Sequence, residues 1–129
     1  MKREILFRGK PIGKGGIWMV GIGAYKSHTS EYLVLNAKGD SVEVVYLCQY
    51  TGLKDKNGIK IFEGDIIESN GYKHLVKYNE NLAGFCAVNV KHPEDLCGIN
   101  QQWINECSKV VIGNVTDNPE MVKGCSNEA

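Results

Sequence analysis

The sequence contains only two arginines, Arg3 and Arg8, among its 129 residues. Arginine is the side chain that proteins favour for two-pronged recognition of phosphates and bases, so its scarcity argues against a dedicated DNA reader. The net charge is zero, with 15 basic and 15 acidic residues. This balance also argues against the strongly basic surface that is typical of nucleic-acid-binding domains.

Long apolar runs are absent as well. None approaches the roughly 20 residues that a membrane-spanning helix needs, and Arg8 interrupts the short run Ile5-Leu6-Phe7 near the N-terminus. The five cysteines are odd in number and show no short pairings, unlike a secreted disulfide framework. We therefore expect a protein of a reducing cytoplasm that has no membrane partner.

Motifs that would carry chemistry are missing too. Gly13-Lys14-Gly15 has glycine where a phosphate-binding loop needs Ser or Thr. There is no Cys-x-x-Cys, and a zinc site built from His92, Cys97 and Cys107 would have unusual spacing. The sequence thus predicts no catalytic residue, cofactor or metal, and an enzyme would have to use His74 or His92 beside a cysteine.

Two acidic segments have simpler interpretations than a calcium or acid–base site. Asp55-Lys56-Asn57-Gly58 lacks the acid two positions earlier and the closing glutamate of a calcium loop. Glu63-Gly64-Asp65 turns a corner, so its two carboxylates need not converge. Both segments are therefore interpreted as turns in which Asp55 and Asp65 accept hydrogen bonds from the backbone.

Glycine is abundant, with 15 residues against three prolines, and the glycines separate short apolar runs. This pattern predicts a mainly β fold with many tight turns. The length suits one domain, which we assign to residues 1–124, followed by a flexible tail at 125–129.

Several elements can be placed along the chain. Residues 32–35 and 42–46 are predicted to form a hairpin, and Asn70-Gly71 is predicted to be a tight turn leading into a strand at 72–78. On that strand Lys73, Leu75 and Lys77 share one face, which is expected to be solvent-exposed. The segment from Pro93 to Ile104 has roughly helical spacing of apolar residues, which favours a helix.

The most specific segment runs from Gln49 to Ile66. Its blocks Gln49–Gly58 and Ile61–Ile66 resemble the signature of the YopX family. The opening Arg3–Lys10 followed by Trp18, and the close Val111–Val115, are similar to the ends of the same family's domain.

The resemblance implies a β-rich fold around a small SH3-like barrel, with extra hairpins and short helical segments. It also implies an origin in a bacteriophage or prophage and a location in the cytoplasm of the bacterial host. It implies no biochemical activity.

Two functions remain open at this point. The first is a non-enzymatic binding or assembly module whose partner is another protein or a second copy of the chain. Its expected binding surface consists of exposed side chains on loops and strand ends: Tyr50, Lys54, Lys56 and Trp18. The alternative is a nucleic-acid-binding accessory protein, because residues 1–26 carry six basic residues against one acid beside possible stacking rings.

Overall fold

A computed structural model of the chain describes residues 4–11, 17–28 and 32–122. The fold is mainly β, and its two sheets are built from antiparallel strand pairs. The strands are β1 (Phe7–Pro11), β2 (Met19–Gly21), β3 (Gly23–Lys26), β4 (Tyr32–Leu35), β5 (Ser41–Lys54), β6 (Lys60–Phe62), β7 (Asp65–Ser69), β8 (Tyr72–Asn79), β9 (Gly84–Asn89), β10 (Leu96–Gly98) and β11 (Val110–Asn114). One helix, α1 (Gln101–Asn105), and two 3-10 turns, Glu106–Ser108 and Pro119–Val122, complete the described elements.

The chain divides between Gly52 and Leu53 into two compact units. Strand β5 crosses this boundary, and β6 pairs with β5. The assignment of residues 1–124 to a single domain stays a prediction, and the expected tail at 125–129 lies outside the described residues.

The sheet of the first unit has the order β2-β1-β5-β4-β3. Its strands approach one another closely at two glycines. A Cβ on Gly9 would lie 2.5 Å from a methyl carbon of Val44, and a Cβ on Gly21 would lie 2.4 Å from the carbonyl oxygen of Leu35. Val34 and Val44 are almost fully buried in this unit. Glycine is therefore required here because any side chain would displace a neighbouring strand.

The sheet of the second unit has the order β10-β9-β8-β7-β11 and is covered on both faces. The neighbouring residues Ile66 and Ile67 enter different clusters because successive strand residues point to opposite faces. The first cluster contains Ile66, Leu75, Cys86, Val88 and Val122. The second contains Ile61, Ile67, Val76 and Ile104, with Trp103 packed against it.

The prediction of a solvent-exposed face around Leu75 is wrong. Leu75 is only 1% exposed, and Lys73 and Lys77 on the same face are half-buried. The reason is that the 3-10 turn at Pro119–Val122 supplies Val122 to cover this face. The stems of lysine can pack along apolar surface while the ammonium stays in water, so the face tolerates both lysines.

The helix expected from Pro93 to Ile104 is also wrong at its start. Leu96 and Cys97 belong to an edge strand and pair with Val88 and Ala87. The helix begins only after Asn100, because the Asn100 side chain accepts the backbone N–H of Trp103 at 2.8 Å. This bond is an N-cap, which fixes where the helix starts.

The expected SH3-like barrel is not confirmed, because neither sheet closes into a barrel in the part of the chain that the structure describes. The glycines serve close strand packing and turns. Gly9 and Gly21 permit close strand approach, and Gly58 and Gly71 adopt positive φ in turns. The hairpin of β4 and β5 and the turn at Asn70-Gly71, where both residues have positive φ, are confirmed.

Candidate functional site

The segment from Gln49 to Ile66 contains a buried carboxylate that organises a turn. Asp55 Oδ1 accepts the backbone N–H groups of Asn57 at 2.8 Å and Ile59 at 2.9 Å. Its Oδ2 accepts the N–H of Val111 on β11 at 2.9 Å. The carboxylate thus holds a local turn and ties it to a strand far along the chain. This confirms that Asp55 acts as a turn residue.

Asp65, the second aspartate of this segment, also holds a turn by accepting a backbone hydrogen bond. Asp65 is 2% exposed, and its Oδ2 accepts the backbone N–H of Phe62 at 2.8 Å across the Glu63-Gly64 turn. Gly52, Gly58 and Gly64 all have positive φ, between 82° and 91°. The most specific segment of the sequence is therefore largely explained by the backbone conformations that its turns require.

Tyr50 does not belong to an exposed surface. Its side chain is 5% exposed, and burial, followed by the nearby charge of Glu4, raises the pKa of its hydroxyl. The expectation that Tyr50 projects from a loop is wrong, because the residue lies within the long strand β5 rather than in a turn.

Lys54 and Lys56 are exposed, but their backbones are held firmly within the second unit. The Gln101 side chain accepts the N–H of Lys54 at 3.1 Å and donates to its carbonyl oxygen at 2.7 Å. The N–H of Lys56 donates to the carbonyl oxygen of Lys109 at 3.1 Å. The two ammonium groups thus project from an ordered turn, and their role in binding stays a prediction.

Trp18 lies at the centre of a cation–aromatic cluster in the first unit. The guanidinium carbon of Arg8 is 4.4 Å from the centre of the Trp18 ring, and the Lys10 ammonium is 5.2 Å from it. Such positions are favourable because the face of an indole ring is electron-rich. The pairing of β1 with β2 creates this cluster, since it aligns Arg8 with Val20 and Gly9 with Met19.

An apolar hollow adjoins the cluster. It has a volume of about 380 Å³. Its lining consists of Pro11, Ile17, Trp18, Met19 and Val42. Ile17 is 72% exposed. We call the hollow together with Arg8 and Lys10 the Trp18 site.

A second cation–aromatic pair lies on the other face of the sheet from Arg8 and Lys10. The Lys26 ammonium lies 5.7 Å from the centre of the Tyr32 ring. Tyr32 stands opposite Val44 on β5, and Val44 stands opposite Pro11 on β1. Residues opposite each other on antiparallel strands share a face, so Tyr32 shares a face with Val44 and Pro11. Arg8 and Lys10 alternate with Pro11 along β1 and therefore lie on the opposite face.

The charges of the chain separate along the same division. Residues 1–52 contain seven basic and four acidic residues, a net charge of +3. Residues 53–129 contain eight basic and eleven acidic residues, a net charge of −3. The neutral whole therefore conceals a basic first unit, which contains the Trp18 site.

The second unit contains a different cluster around Trp103. The Lys109 ammonium is 4.3 Å from the centre of the Trp103 ring and donates to the carbonyl oxygens of Trp103 and Glu106, both at 2.9 Å. His74 contacts the same ring edge-on at 5.4 Å between centroids. Sequence reasoning missed Lys109 because no local pattern marks a lysine that becomes 7% exposed in the fold.

A cleft beside this cluster brings a histidine and a cysteine together. It has a volume of about 370 Å³, and His74 and Cys97 both line it. Cys97 is an exposed residue, and partial burial of its thiol raises the pKa, an effect that Lys109 partly opposes. Burial, then Lys109, lowers the pKa of His74. Both directions disfavour the thiolate–imidazolium pair that a cysteine nucleophile needs.

The other candidates for chemistry are more scattered. His92 is exposed, with Nδ1 3.7 Å from Glu94 Oε2. Within residues 4–11, 17–28 and 32–122, no group of three or more His, Cys, Asp or Glu side chains is arranged to hold a metal ion. Over the same ranges, no helix is long and apolar enough to cross a membrane.

Known proteins give two points of comparison. A crystal structure of protein EF1440 from Enterococcus faecalis is similar to this chain, with 27% identity and a TM-score of 0.47, covering 94% of this chain and 75% of that one. No curated protein matches the chain. The family model of the YopX protein matches residues 21–123, which include the whole turn-rich segment held by Asp55 and Asp65. The chain therefore belongs to the YopX family.

Proposed function

We propose that the protein is a non-enzymatic binding module and that the Trp18 site is its binding site. The observation that carries this proposal is the juxtaposition of an apolar hollow with two cations over one tryptophan ring. Such a site can hold a flat or apolar group while the cations attract negative charge. The partner is therefore expected to be anionic and to carry flat or apolar groups.

Binding is favoured over catalysis because of the protonation states of His74 and Cys97. His74 and Cys97 both line one cleft, which is the combination of a histidine with a cysteine that an enzyme would have to use. The raised thiol pKa and the lowered imidazole pKa leave both groups neutral near pH 7. A neutral thiol is a poor nucleophile, so this cleft is poorly suited to covalent catalysis.

The proposal includes the setting that family membership suggests. In this setting the module is an accessory of a phage or prophage and acts in the cytoplasm of the host. Its partner is a nucleic acid, another protein or a second copy of the chain, and each of these has an outcome in the experiment below.

The two tryptophans make the test direct, because Trp18 lies in the first unit and Trp103 in the second. We would record the two indole N–H signals by NMR while adding a 12-nucleotide oligo-dT, a 12-residue Asp/Glu-rich peptide, or more of the protein itself. We expect at least one titration to shift the Trp18 signal to saturation while the Trp103 signal stays in place. If no titration shifts the Trp18 signal, the proposal is wrong.

A further inference from the structure

We infer that the outer edge of strand β10 binds an extended peptide segment of a partner protein as an added strand, at a place separate from the Trp18 site. Strand β10 lies at one end of the sheet of the second unit, and its three residues are all exposed. Leu96 is 45% exposed, and a Cβ added to Gly98 would meet open space. An open strand edge is a template on which a peptide can form main-chain hydrogen bonds.

The hydrogen bonds of the sheet show which backbone groups of β10 face outwards. The N–H of Asn89 donates to the carbonyl oxygen of Asp95 at 3.0 Å, so this oxygen faces β9. In an antiparallel pair, the groups that face the partner strand recur at every second residue. Cys97 therefore also faces β9, whereas the N–H and C=O groups of Leu96 and Gly98 point away from it. An added strand would find a donor and an acceptor at each of these two residues.

Two hollows adjoin this edge, one on each face of the sheet. The first has a volume of about 300 Å³, and its lining includes Lys77, Cys86, Val88 and Leu96. Strand register places these four residues on one face, because Lys77 stands opposite Cys86, and Leu96 stands opposite Val88.

The second hollow is the cleft of His74 and Cys97, which lies on the opposite face. Cys97 stands opposite Ala87, and Ala87 alternates along β9 with Val88 of the first hollow. Leu96 lines both hollows, so both of them reach the edge strand. Successive side chains of an added strand would therefore enter the two hollows in turn.

The linings indicate the chemistry of the peptide. Among the described residues, the cleft is lined by two acids, Glu94 and Asp95, and by no lysine or arginine. The lowered pKa of His74 leaves this imidazole neutral near pH 7. A basic side chain is therefore complementary to the cleft, and the net charge of −3 on the second unit has the same sign. The first hollow contains apolar side chains beside one lysine and one glutamate, so it suits an uncharged apolar side chain.

A second copy of this chain is a poorer occupant than another protein. Its own β10 contains no basic residue. Arg8 and Lys10 alternate along β1, but β1 is already paired with β2 on one side and with β5 on the other. The expected ligand is thus a segment of a different protein in which apolar and basic residues alternate.

The test uses the full chain and the capped peptide Thr-Thr-Val-Arg-Val-Thr-Thr. Amide hydrogen exchange measured by NMR reports strand pairing directly. At saturation the peptide should slow the exchange of the Leu96 and Gly98 N–H groups about tenfold or more. The N–H of Cys97 already faces β9 and should change less. Unchanged exchange at both Leu96 and Gly98 would overturn the inference.

N-methylated peptides separate strand pairing from simple charge attraction. In antiparallel pairing, the backbone groups of the two valines face Leu96 and Gly98, whereas those of the arginine face away. N-methylation of both valines should weaken binding about tenfold or more, because two hydrogen bonds are lost. N-methylation of the arginine should weaken it less than about threefold. Equal losses would overturn the inference.

Gly98 offers a matched pair of variants. Gly98→Pro removes the outward N–H, and an edge strand tolerates proline at such a position. It should weaken peptide binding about fivefold or more, whereas Gly98→Ala keeps the N–H and should bind like the wild type. Equal affinities of the two variants would contradict pairing at this edge. If Gly98→Pro does not fold, the N-methylated peptides decide the question.

Charge variants test the assignment of the cleft. Asp95→Asn and Glu94→Gln should each weaken binding about threefold, and glutamate in place of the peptide's arginine should weaken it more. Glu120→Gln is the control, because Glu120 is exposed in the same unit and lines neither hollow. A glutamate peptide that binds as tightly as the arginine peptide would overturn the basic ligand class.

This inference and the proposed function can fail separately, because their reporters lie in different units. Binding at β10 should leave the Trp18 indole signal in place. Slower exchange at Leu96 and Gly98 on addition of more of the protein itself, without any effect of the peptide, would overturn the assignment to a different protein. A Trp18 signal that responds to no ligand would overturn only the proposed function.

Discussion

Asp55 and Val111 are joined by a hydrogen bond of 2.9 Å, although 56 positions separate them along the chain. The same carboxylate accepts two further backbone N–H groups within its own turn. One side chain therefore satisfies three backbone donors at a nearly buried position. Because backbone N–H groups without a partner are costly when buried, this carboxylate is a structural centre of the second unit.

Replacing Asp55 with alanine should destabilise the second unit by on the order of 3 kcal/mol, because three backbone donors lose their acceptor. Asp55→Asn should cost less, since the amide oxygen still accepts hydrogen bonds. Urea unfolding measured by Trp103 fluorescence in a Trp18→Phe background tests this. Asp40→Ala is the control, because Asp40 is exposed. A cost for Asp55→Ala no greater than that for Asp40→Ala would contradict the assigned role.

Replacing Gly58 or Gly21 with alanine should lower the free energy of unfolding, but for different reasons. Gly58 has a φ of 82°, and a Cβ added to it would meet open space, so Gly58→Ala should cost about 1 kcal/mol from backbone strain alone. Gly58→Asn should cost less, because asparagine tolerates this conformation. Trp103 fluorescence in the Trp18→Phe background measures both variants.

Gly21→Ala should cost more, on the order of 3 kcal/mol, because the new Cβ would lie 2.4 Å from the backbone oxygen of Leu35. A backbone atom cannot rotate away as a flexible side chain can. Trp18 fluorescence in a Trp103→Phe background reports this loss in the first unit. If Gly21→Ala proves no more costly than Gly58→Ala, close strand approach at Gly21 is not what requires glycine.

Local chemistry explains which parts of the fold the sequence predicts. The β4–β5 hairpin and the Asn70-Gly71 turn depend on residues that are neighbours in the chain, and the sequence predicts both correctly. It does not predict the full length of strand β5, so it places Tyr50 in a loop although the residue is 5% exposed. The start of helix α1 is not predicted either. The spacing of apolar residues from Leu96 onwards fits a helix, but Leu96–Gly98 form an edge strand paired with β9.

The candidate sites depend on contacts between distant residues, which limits prediction further. The sequence predicts Trp18 as a surface residue, but its neighbours Arg8 and Lys10 reach it only through the pairing of β1 with β2. Lys109 is not predicted at all, because its hydrogen-bond acceptors are the carbonyl oxygens of Trp103 and Glu106, which any residue could provide. Sequence supplies the residue types, whereas strand register decides which of them meet.

His74 should make the second unit less stable in mild acid. Burial, then Lys109, lowers its pKa below the usual 6.5, so the unfolded chain takes up a proton at a higher pH than the folded chain does. The free energy of unfolding should therefore fall as the pH drops through 6.5 and stop falling below the folded pKa. Urea unfolding at pH 7.5, 6.5 and 5.5 should show a larger loss for the wild type than for His74→Gln.

The comparison with His74→Gln removes the effect of carboxylates, which titrate in both proteins. His92→Gln controls for the loss of one imidazole at an exposed position. In Lys109→Met, an NMR titration should show a higher His74 pKa than in the wild type, because one of the two causes of its lowering is gone. Parallel loss of stability in the wild type and His74→Gln would contradict the prediction.

Lys109 should stabilise the end of helix α1 despite the cost of burying its charge. Its ammonium donates to two carbonyl oxygens and lies over the Trp103 ring, and carbonyl oxygens at a helix end attract a cation. Lys109→Met keeps most of the apolar stem and removes the donors, so we expect a loss of about 2 kcal/mol in the second unit. Lys91→Met, at an exposed lysine, should change stability by less than about 0.5 kcal/mol.

The opposite result is physically reasonable and would be informative. A buried charge can cost more in lost hydration than its partners return, and then an apolar replacement stabilises the fold. Two carbonyl bonds at 2.9 Å and a ring at 4.3 Å are the compensation that Lys109 receives. If Lys109→Met unfolds at the same or a higher urea concentration than the wild type, this compensation is insufficient, and the lysine does not stabilise the helix end.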